Sequence, residues 1–391
     1  MLLDKAKAIQ NYIIRIRREL HQNPELGFNL GHTLEVVESE LKKLGIEPIR
    51  IGKAGITCTI GRNDRKCILL RADMDALPIK EESGFNYAST NENCHACGHD
   101  FHTAMLLGAA KLLKESEDKL KGQVKFMFQP AEEELAGAKD MIAAGILSDP
   151  KVDAAFAIHV MVGINEARIG HTYYKEGPLM LSGDAIKIRI KGEETHGSTP
   201  YLGVDAIQIA ANITIAINGL IGTTMPPQEN TVALVGKIKG GDAVNIVAGK
   251  AELEVSIRTQ SYDSRNRILK EVERISKGIA SMHGAKAEVI HQYGIPPLIN
   301  NESLTRQFRD YLIELLGSDR LEKINKFSGS EDFAAIAEKV PSAIFTVGMG
   351  SIDEGHIHYL HHPSCDFDES EAYVGAAVYA QVAKRWLEEN C

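Results

Sequence analysis

Four short apolar runs stand out along the chain: KCILLRAD (66–73), QVKFMFQP (123–130), DAAFAIHV (153–160) and SAIFTVGM (342–349). They are rich in β-branched or aromatic residues, end abruptly in polar ones, and are each followed by a helical pattern. Strands that are apolar on both faces and interleaved with helices predict a largely parallel central sheet flanked by helices, an α/β architecture. Between 183 and 293 the pattern changes to alternation. There DAIKIRIKG, TVALVGKIKGG, KAELEVSIRT and AKAEVIHQY surround two helical patterns near 204–220 and 263–283. Alternation leaves one face of a sheet wet, so this stretch predicts a smaller open-faced α+β sandwich. Gly177-Pro178 and Gly294 to Pro297 punctuate the change. The expected organisation is therefore one α/β domain in two parts, 1–182 and 294–391, interrupted by an inserted domain at 183–293. Neither an internal repeat nor a low-complexity segment is visible.

Two segments test this reading. The N-terminal MLLDKAKAIQNYIIRIRREL is charged and amphipathic throughout, with no apolar signal core, and reads as the first helix of a cytoplasmic protein. Residues 206–228 carry no charge and are long enough to cross a bilayer. They nevertheless hold Gln208, Asn212, Asn218 and a Pro-Pro pair, and Ala206, Ile209, Ala210, Ile213, Ile217 and Leu220 recur at helical spacing. That stripe predicts a half-buried helix and no membrane span.

Composition narrows the classes. With 391 residues, 44% hydrophobic and 25% charged, the chain is neither disordered, collagenous nor a small disulfide scaffold. A net charge of −9 offers no basic field for a phosphate backbone, which excludes nucleic acid as the main partner. Six cysteines over this length are too sparse for a disulfide framework.

In an open α/β sheet, ligands bind beyond the carboxyl ends of the strands. The chemistry-bearing residues fall there: Asn93-Cys94-His95-Ala96-Cys97-Gly98-His99-Asp100 before a helix, Glu132-Glu133-Glu134 after the second strand, His159 at the end of the third, and His358-Tyr359-Leu360-His361-His362-Pro363 near the C-terminus. A thiol, imidazoles and carboxylates converging from separate strand ends suit zinc or a neighbouring first-row divalent ion. Cys94 and Cys97 could instead form a redox pair, but the strand before and the helix immediately after such a pair are missing, and His99 favours a metal. Three successive glutamates could be a solvated helix start. Directly after an apolar strand and Pro130, two adjacent carboxylates can also divide labour, one as ligand and one as general base on a water.

These residues carry a resemblance. The run His95 to His102, the strand end Gln129-Pro130-Ala131-Glu132-Glu133, and Leu360-His361-His362-Pro363 through Asp368 resemble the amidohydrolase branch of the aminoacylase and carboxypeptidase family of dinuclear metallohydrolases. That branch includes hippurate hydrolases, auxin-conjugate hydrolases and N-acetyldiaminopimelate deacetylases. Arg18-Glu19-Leu20-His21 through Phe28, Leu70-Arg71-Ala72-Asp73-Met74-Asp75 through Pro78, and Gly329-Ser330-Glu331-Asp332-Phe333 extend it over nearly the whole chain. The resemblance implies two divalent ions per subunit held by Cys97, His99, Glu133, His159 and His361, with Cys97 bridging as thiolate and Glu132 as the base. Asp73 stands where the wider family has a histidine ligand. His361 is preferred to its neighbour His362 because it lies two places before the proline.

The resemblance further implies that His196, in Glu194-Thr195-His196-Gly197-Ser198-Thr199-Pro200, reaches a partner subunit's active site and stabilises the tetrahedral oxyanion. Asn245 and Arg258 match positions associated with the substrate carboxylate, although Val244-Asn245-Ile246-Val247 departs from the family's Asn-Val-Ile-Pro. The expected activity is hydrolysis of an N-acyl amino acid or related conjugate by a homodimer, or a tetramer, with the inserted domain acting as lid and dimerisation element. Zinc is the first choice of metal, with manganese, cobalt or nickel as alternatives. The competing readings are a metallo-exopeptidase or dipeptidase, a noncatalytic metal- or carboxylate-binding relative, and a thiol oxidoreductase using Cys94 and Cys97.

Overall fold

The computed structural model describes residues 1–62, 65–325 and 327–391. It divides into two compact units: Met1–Leu179 with Ile299–Lys326 and Ala335–Cys391, and Met180–Leu298 with Phe327–Ala334.

Among the described residues, the first unit is built on an eight-stranded sheet. Its order is Ile49–Ile51, Gly55–Gly61, Gln123–Gln129, Cys67–Asp73, Ala154–Met161, Ser342–Gly348, Thr172–Tyr174, Leu321–Lys323. The four apolar runs form adjacent parallel strands, every residue of each buried, as continuous apolar sequence requires. The outer strands differ from the parallel expectation. Gly55–Gly61 runs antiparallel to Gln123–Gln129, and Thr172–Tyr174 antiparallel to Ser342–Gly348. Thr172–Tyr174 has only three residues and leaves little pattern to read, and the direction of the seven-residue Gly55–Gly61 is set by its pairing with Gln123–Gln129. The N-terminal segment also departs from the single helix expected: Ile9 sits at φ −101°, ψ 12° between helices Leu2–Ala8 and Gln10–His21, where its N–H bonds the Ala6 carbonyl in a tightened turn.

The helix His99–Lys114 carries the chain from Cys67–Asp73 to its neighbour Gln123–Gln129, after which the chain returns to the opposite side of Cys67–Asp73 to lay down Ala154–Met161. The direction of winding therefore reverses at Cys67–Asp73. A crevice opens at such a switch point beyond the strand ends, and this topology sends Asp73, Gln129 and His159 toward one end of the sheet.

The second unit is a four-stranded antiparallel sheet in the order Thr231–Gly240, Lys250–Thr259, Gly183–Lys191, Lys286–Ile295. Alternate residues Ile186, Ile188, Ile190, Leu253, Val255 and Ile257 are buried with Ile209, Ile213 and Ile217 of Ala206–Thr224 and with Ile268 and Val272 of Tyr262–Met282. Each such side chain contributes about 1.5–3 kcal/mol on burial. Asp205 caps the first helix by accepting from Ile207 and Gln208 N–H, and Ser261 caps the second through Ser264 N–H. Ala206–Thr224 passes the length and hydropathy test for a membrane span, but its buried positions are the predicted stripe, packed on this sheet.

Candidate metal centre

The Cys97–His99 turn is fixed by Gly98, which sits at φ +83°, where a Cβ would lie 2.2 Å from Val160 Cγ2. Only glycine meets both demands, and it sets the thiol and the imidazole on either side of the turn. Facing them, Gln129 and Pro130 lead into Ala131 at φ +50° and then Glu132 and Glu133. His361 is another non-glycine residue in the left-handed region, at φ +66°, and its N–H bonds the Ala96 carbonyl at 2.9 Å. Such backbone is held only where surrounding structure enforces it, and it clusters at functional sites.

Cys97 Sγ lies 3.5 Å from His159 Nε2 and 3.4 Å from His361 Nε2. His361 Nε2 is 3.4 Å from Glu133 Oε1. His99 Nε2 stands 3.6 Å from Asp73 Oδ2, 3.9 Å from Glu133 Oε1 and 4.0 Å from Glu132 Oε2. Two ligand-like triads, Cys97/His99/His159 and Cys97/Glu133/His361, thus share the thiol, each with its donor atoms within 4.8 Å of one another. His159 Nδ1 donates to the Val160 carbonyl at 2.6 Å, which leaves Nε2 with its lone pair toward Cys97. His362 is not part of the group: its ring stacks on His358 at 4.0 Å and its Nδ1 accepts from Ser364 N–H.

The electrostatics are those of carboxylates, imidazoles and a thiol crowded together out of water. Burial raises the Cys97 thiol well above its ordinary range, and the carboxylates of Glu133, Glu132 and Asp73 add to the rise. Burial opposes a charged His99, yet Asp73, Asp75 and Glu133 outweigh it and lift this imidazole to about 10. Burial lowers His159 to about 4. His99 Nε2 and Glu133 Oε1 are buried without a hydrogen-bond partner. Such orphaned atoms are costly unless something else satisfies them, and a thiol, imidazoles and carboxylates in this arrangement fit a pair of divalent cations.

Around Asp73, which the resemblance places where the wider family has a histidine ligand, stand Asp75, Arg71 and His102, to which the sequence assigned no role, although the Asp-x-Asp at the end of a buried strand was a usable sign. Asp75 Oδ1 and Oδ2 accept the backbone N–H groups of Glu132 and Glu133 at 3.0 and 3.2 Å, and Oδ1 faces His99 Nδ1 at 3.5 Å. Asp73 is flanked by Arg71 Nη1 at 2.8 Å and His102 Nδ1 at 2.5 Å. His102 Nε2 accepts from Val160 N–H, so its proton sits on Nδ1 and points at Asp73.

His196, Asn245 and Arg258 belong to the second unit. His196 is exposed, with Nδ1 accepting from Ser198 N–H at 3.2 Å and lying 2.7 Å from the Ser198 hydroxyl. Its short strand pairs with that of Ile246, and the Asn245 carbonyl accepts from Gly197 N–H, so the two loops form one structure. Arg258 donates to Ser330 Oγ at 2.9 Å.

Residues 69–385 match the model of peptidase family M20/M25/M40. The chain is 36% identical to an N-acetyl-L-cysteine deacetylase of Bacillus subtilis, over 98% of this chain and 90% of the relative. It is 34% identical to thermostable carboxypeptidase 2 of Saccharolobus solfataricus, over 98% and 97%. Among solved structures it is similar to a dinuclear metal binding peptidase of the M20 family from Bacillus subtilis, with TM-score 0.83, 33% identity, and 98% and 99% of the two chains covered.

Proposed function

The chain belongs to peptidase family M20/M25/M40 and is a metal-dependent hydrolase; from that premise we propose that it cleaves the amide bond of N-acyl amino acids or related conjugates, releasing a carboxylic acid and an amino acid. The observation that carries this reading is the sharing of Cys97 between two donor triads, with Glu132 adjoining them. Cys97, His99, Glu133, His159 and His361 would hold two divalent ions. Ions held there supply Lewis-acid polarisation of a carbonyl and acidify nearby water. The soft thiolate and the imidazoles favour zinc, with manganese, cobalt and nickel able to use the same donors.

Glu132 takes a proton from the attacking water and returns it to the departing amine nitrogen. Asp75 holds the backbone of both glutamates, so the base and its ligand neighbour keep their separate orientations. His196 donates to the oxygen that gains negative charge as the carbonyl becomes tetrahedral, and acts in the site of a partner subunit. Asn245 and Arg258 recognise the substrate carboxylate, a guanidinium fork being matched to two oxygens. The inserted segment, 183–293, serves as lid and dimerisation element of a cytoplasmic homodimer. Supporting this, the edge strand Thr231–Gly240 exposes Val232, Leu234 and Ile238, and the helix Ala206–Thr224 exposes Ile207 and Ile215, apolar surface that a second copy would cover.

The carboxypeptidase relative favours one competing reading, removal of a terminal residue from a peptide. Metal-stripped enzyme with each metal restored in turn, screened by released amine against N-acyl amino acids and dipeptides, separates the two. Turnover of N-acyl amino acids is expected. Turnover of dipeptides alone would establish the exopeptidase, and a protein that holds two metals yet is inert on the whole panel would be a binding relative.

A further inference from the structure

The motif Arg18 to Phe28 lies outside the proposed chemistry, yet its His21 and the preceding Arg17 meet Asp100 in the helix that follows the metal-binding turn. Arg17 and Asp100 are both fully buried, with Nε 2.8 Å from Oδ2. The same carboxylate oxygen lies 2.7 Å from His21 Nδ1, and His21 Nε2 is 3.1 Å from Glu81 Oε1. Arg17 Nη1 reaches Glu369 at 3.1 Å, and its guanidinium lies 4.5 Å from the centre of the Phe101 ring and 5.0 Å from that of Tyr87. Asp100 follows His99 and opens the same helix, where its Oδ1 accepts Phe101 N–H at 2.9 Å.

The same N-terminal segment grips the chain on both sides of the site. Thr90 bonds the Gln22 carbonyl through both N–H and hydroxyl, and Asn91 and Asn93 donate to the Pro24 carbonyl, tying down the loop that leads to Cys97. Ala76 N–H bonds the Glu25 carbonyl beside Asp75. A buried carboxylate without its cation would be expelled toward water. Losing Arg17 or His21 would therefore displace the first turn of the helix that carries His99.

We infer that Asp100, clamped by Arg17 and His21, is a positioning residue that fixes the Cys97–His99 turn and thereby sets the affinity of the metal centre. The inference rests on the metal-centre reading given above. It separates affinity from stability, because the buried ion pair can be removed whole. In Arg17→Met/Asp100→Asn the ion pair goes as a unit, while Glu369 keeps Arg18 and His21 keeps Glu81, so the fold recovers while the clamp stays lost.

The test uses metal-stripped full-length protein, cobalt affinity by chelator competition, the thiolate-to-cobalt absorption band, and thermal melting. Asp100→Asn is expected to weaken binding by about 10–100-fold and to shift the band. The double variant is expected to regain much of the melting temperature without regaining affinity, and it decides the matter where the single variant fails to fold. Wild-type affinity and band in folded Asp100→Asn, or affinity restored together with stability in the double variant, would overturn the inference. A wild-type protein with no cobalt band that depends on Cys97 would overturn the metal-centre reading itself, and this inference with it.

Discussion

Asp75 accepts the backbone N–H of Glu132 at 3.0 Å through the same oxygen that faces His99 Nδ1 at 3.5 Å. One carboxylate thus orients a donor imidazole from behind and fixes the chain bearing the adjacent glutamate. Asp75→Asn keeps the size and loses the charge. Groups in this supporting role cost about 10–100-fold in metal affinity or activity when replaced. The expected outcome is a fall of that order in kcat/KM with unchanged far-ultraviolet circular dichroism, and an unaltered kcat/KM would remove Asp75 from the site.

Glu132→Gln separates base from ligand. General bases contribute about 10²–10⁴-fold, so kcat should drop by that factor while bound metal, measured by atomic emission, stays at the wild-type level. Glu133→Gln should instead lower metal content, because Glu133 Oε1 lies 3.4 Å from His361 Nε2 in the triad containing Cys97. Equal metal loss in both variants would refute the division of labour.

What the sequence made legible follows from the range of the interactions. Continuous apolar runs announce strands buried on both faces, and the side chains singled out at their ends, Cys97, His99, Glu133, His159 and His361, do lie together. The choice between His361 and His362 is a matter of backbone: φ +66° and the bond to Ala96 turn one ring toward Cys97, while stacking on His358 turns the other away. The Arg17 to Asp100 ion pair joins positions 83 apart and obeys no helical or strand period, so only the folded chain reveals it. The antiparallel Gly55–Gly61 was missed for a related reason, its place being set by pairing with Gln123–Gln129.

Cys94 and Cys97 are both buried free thiols, and burial pushes Cys94 up to about 12, far from a reactive thiolate. Cys94→Ser should keep activity within about threefold, since replacing a small buried side chain by a near-isostere away from the donors is a modest change. Cys97→Ser should lose the metal pair. Loss of activity in Cys94→Ser with metal retained would revive a redox role.

Metal uptake should release protons. In the metal-free protein, burial disfavours the charged imidazole of His99, but Asp73 and its neighbours hold it at about 10, so it is protonated at pH 7. Cys97 is raised well above its ordinary value and is a thiol. Donors bind metal deprotonated, so each bound ion must displace protons and apparent affinity must rise with pH. The sign is fixed: affinity increases from pH 6 to pH 8 and zinc binding acidifies a weakly buffered solution. Titration calorimetry in buffers of different ionisation enthalpy measures the number released, and a value of zero would contradict the assigned donors.

Gly98 is the narrowest constraint at the site. At φ +83° a side chain is strained, and a Cβ would lie 2.2 Å from Val160 Cγ2 and 3.1 Å from Phe367 Cζ. Gly84 has a similar φ of +74° with nothing within 4 Å of its would-be Cβ. Gly84→Ala therefore reports backbone strain alone, about 1 kcal/mol or slightly more, whereas Gly98→Ala adds overpacking of about 1–3 kcal/mol. In urea unfolding of metal-free protein the Gly98 variant should be less stable than the Gly84 variant by that second amount. Because relieving the clash with Val160 and Phe367 shifts the turn between Cys97 and His99, the Gly98 variant alone should also bind cobalt more weakly. Equal stability and equal cobalt affinity in the two variants would show that the turn relaxes freely, and that its shape does not control the centre.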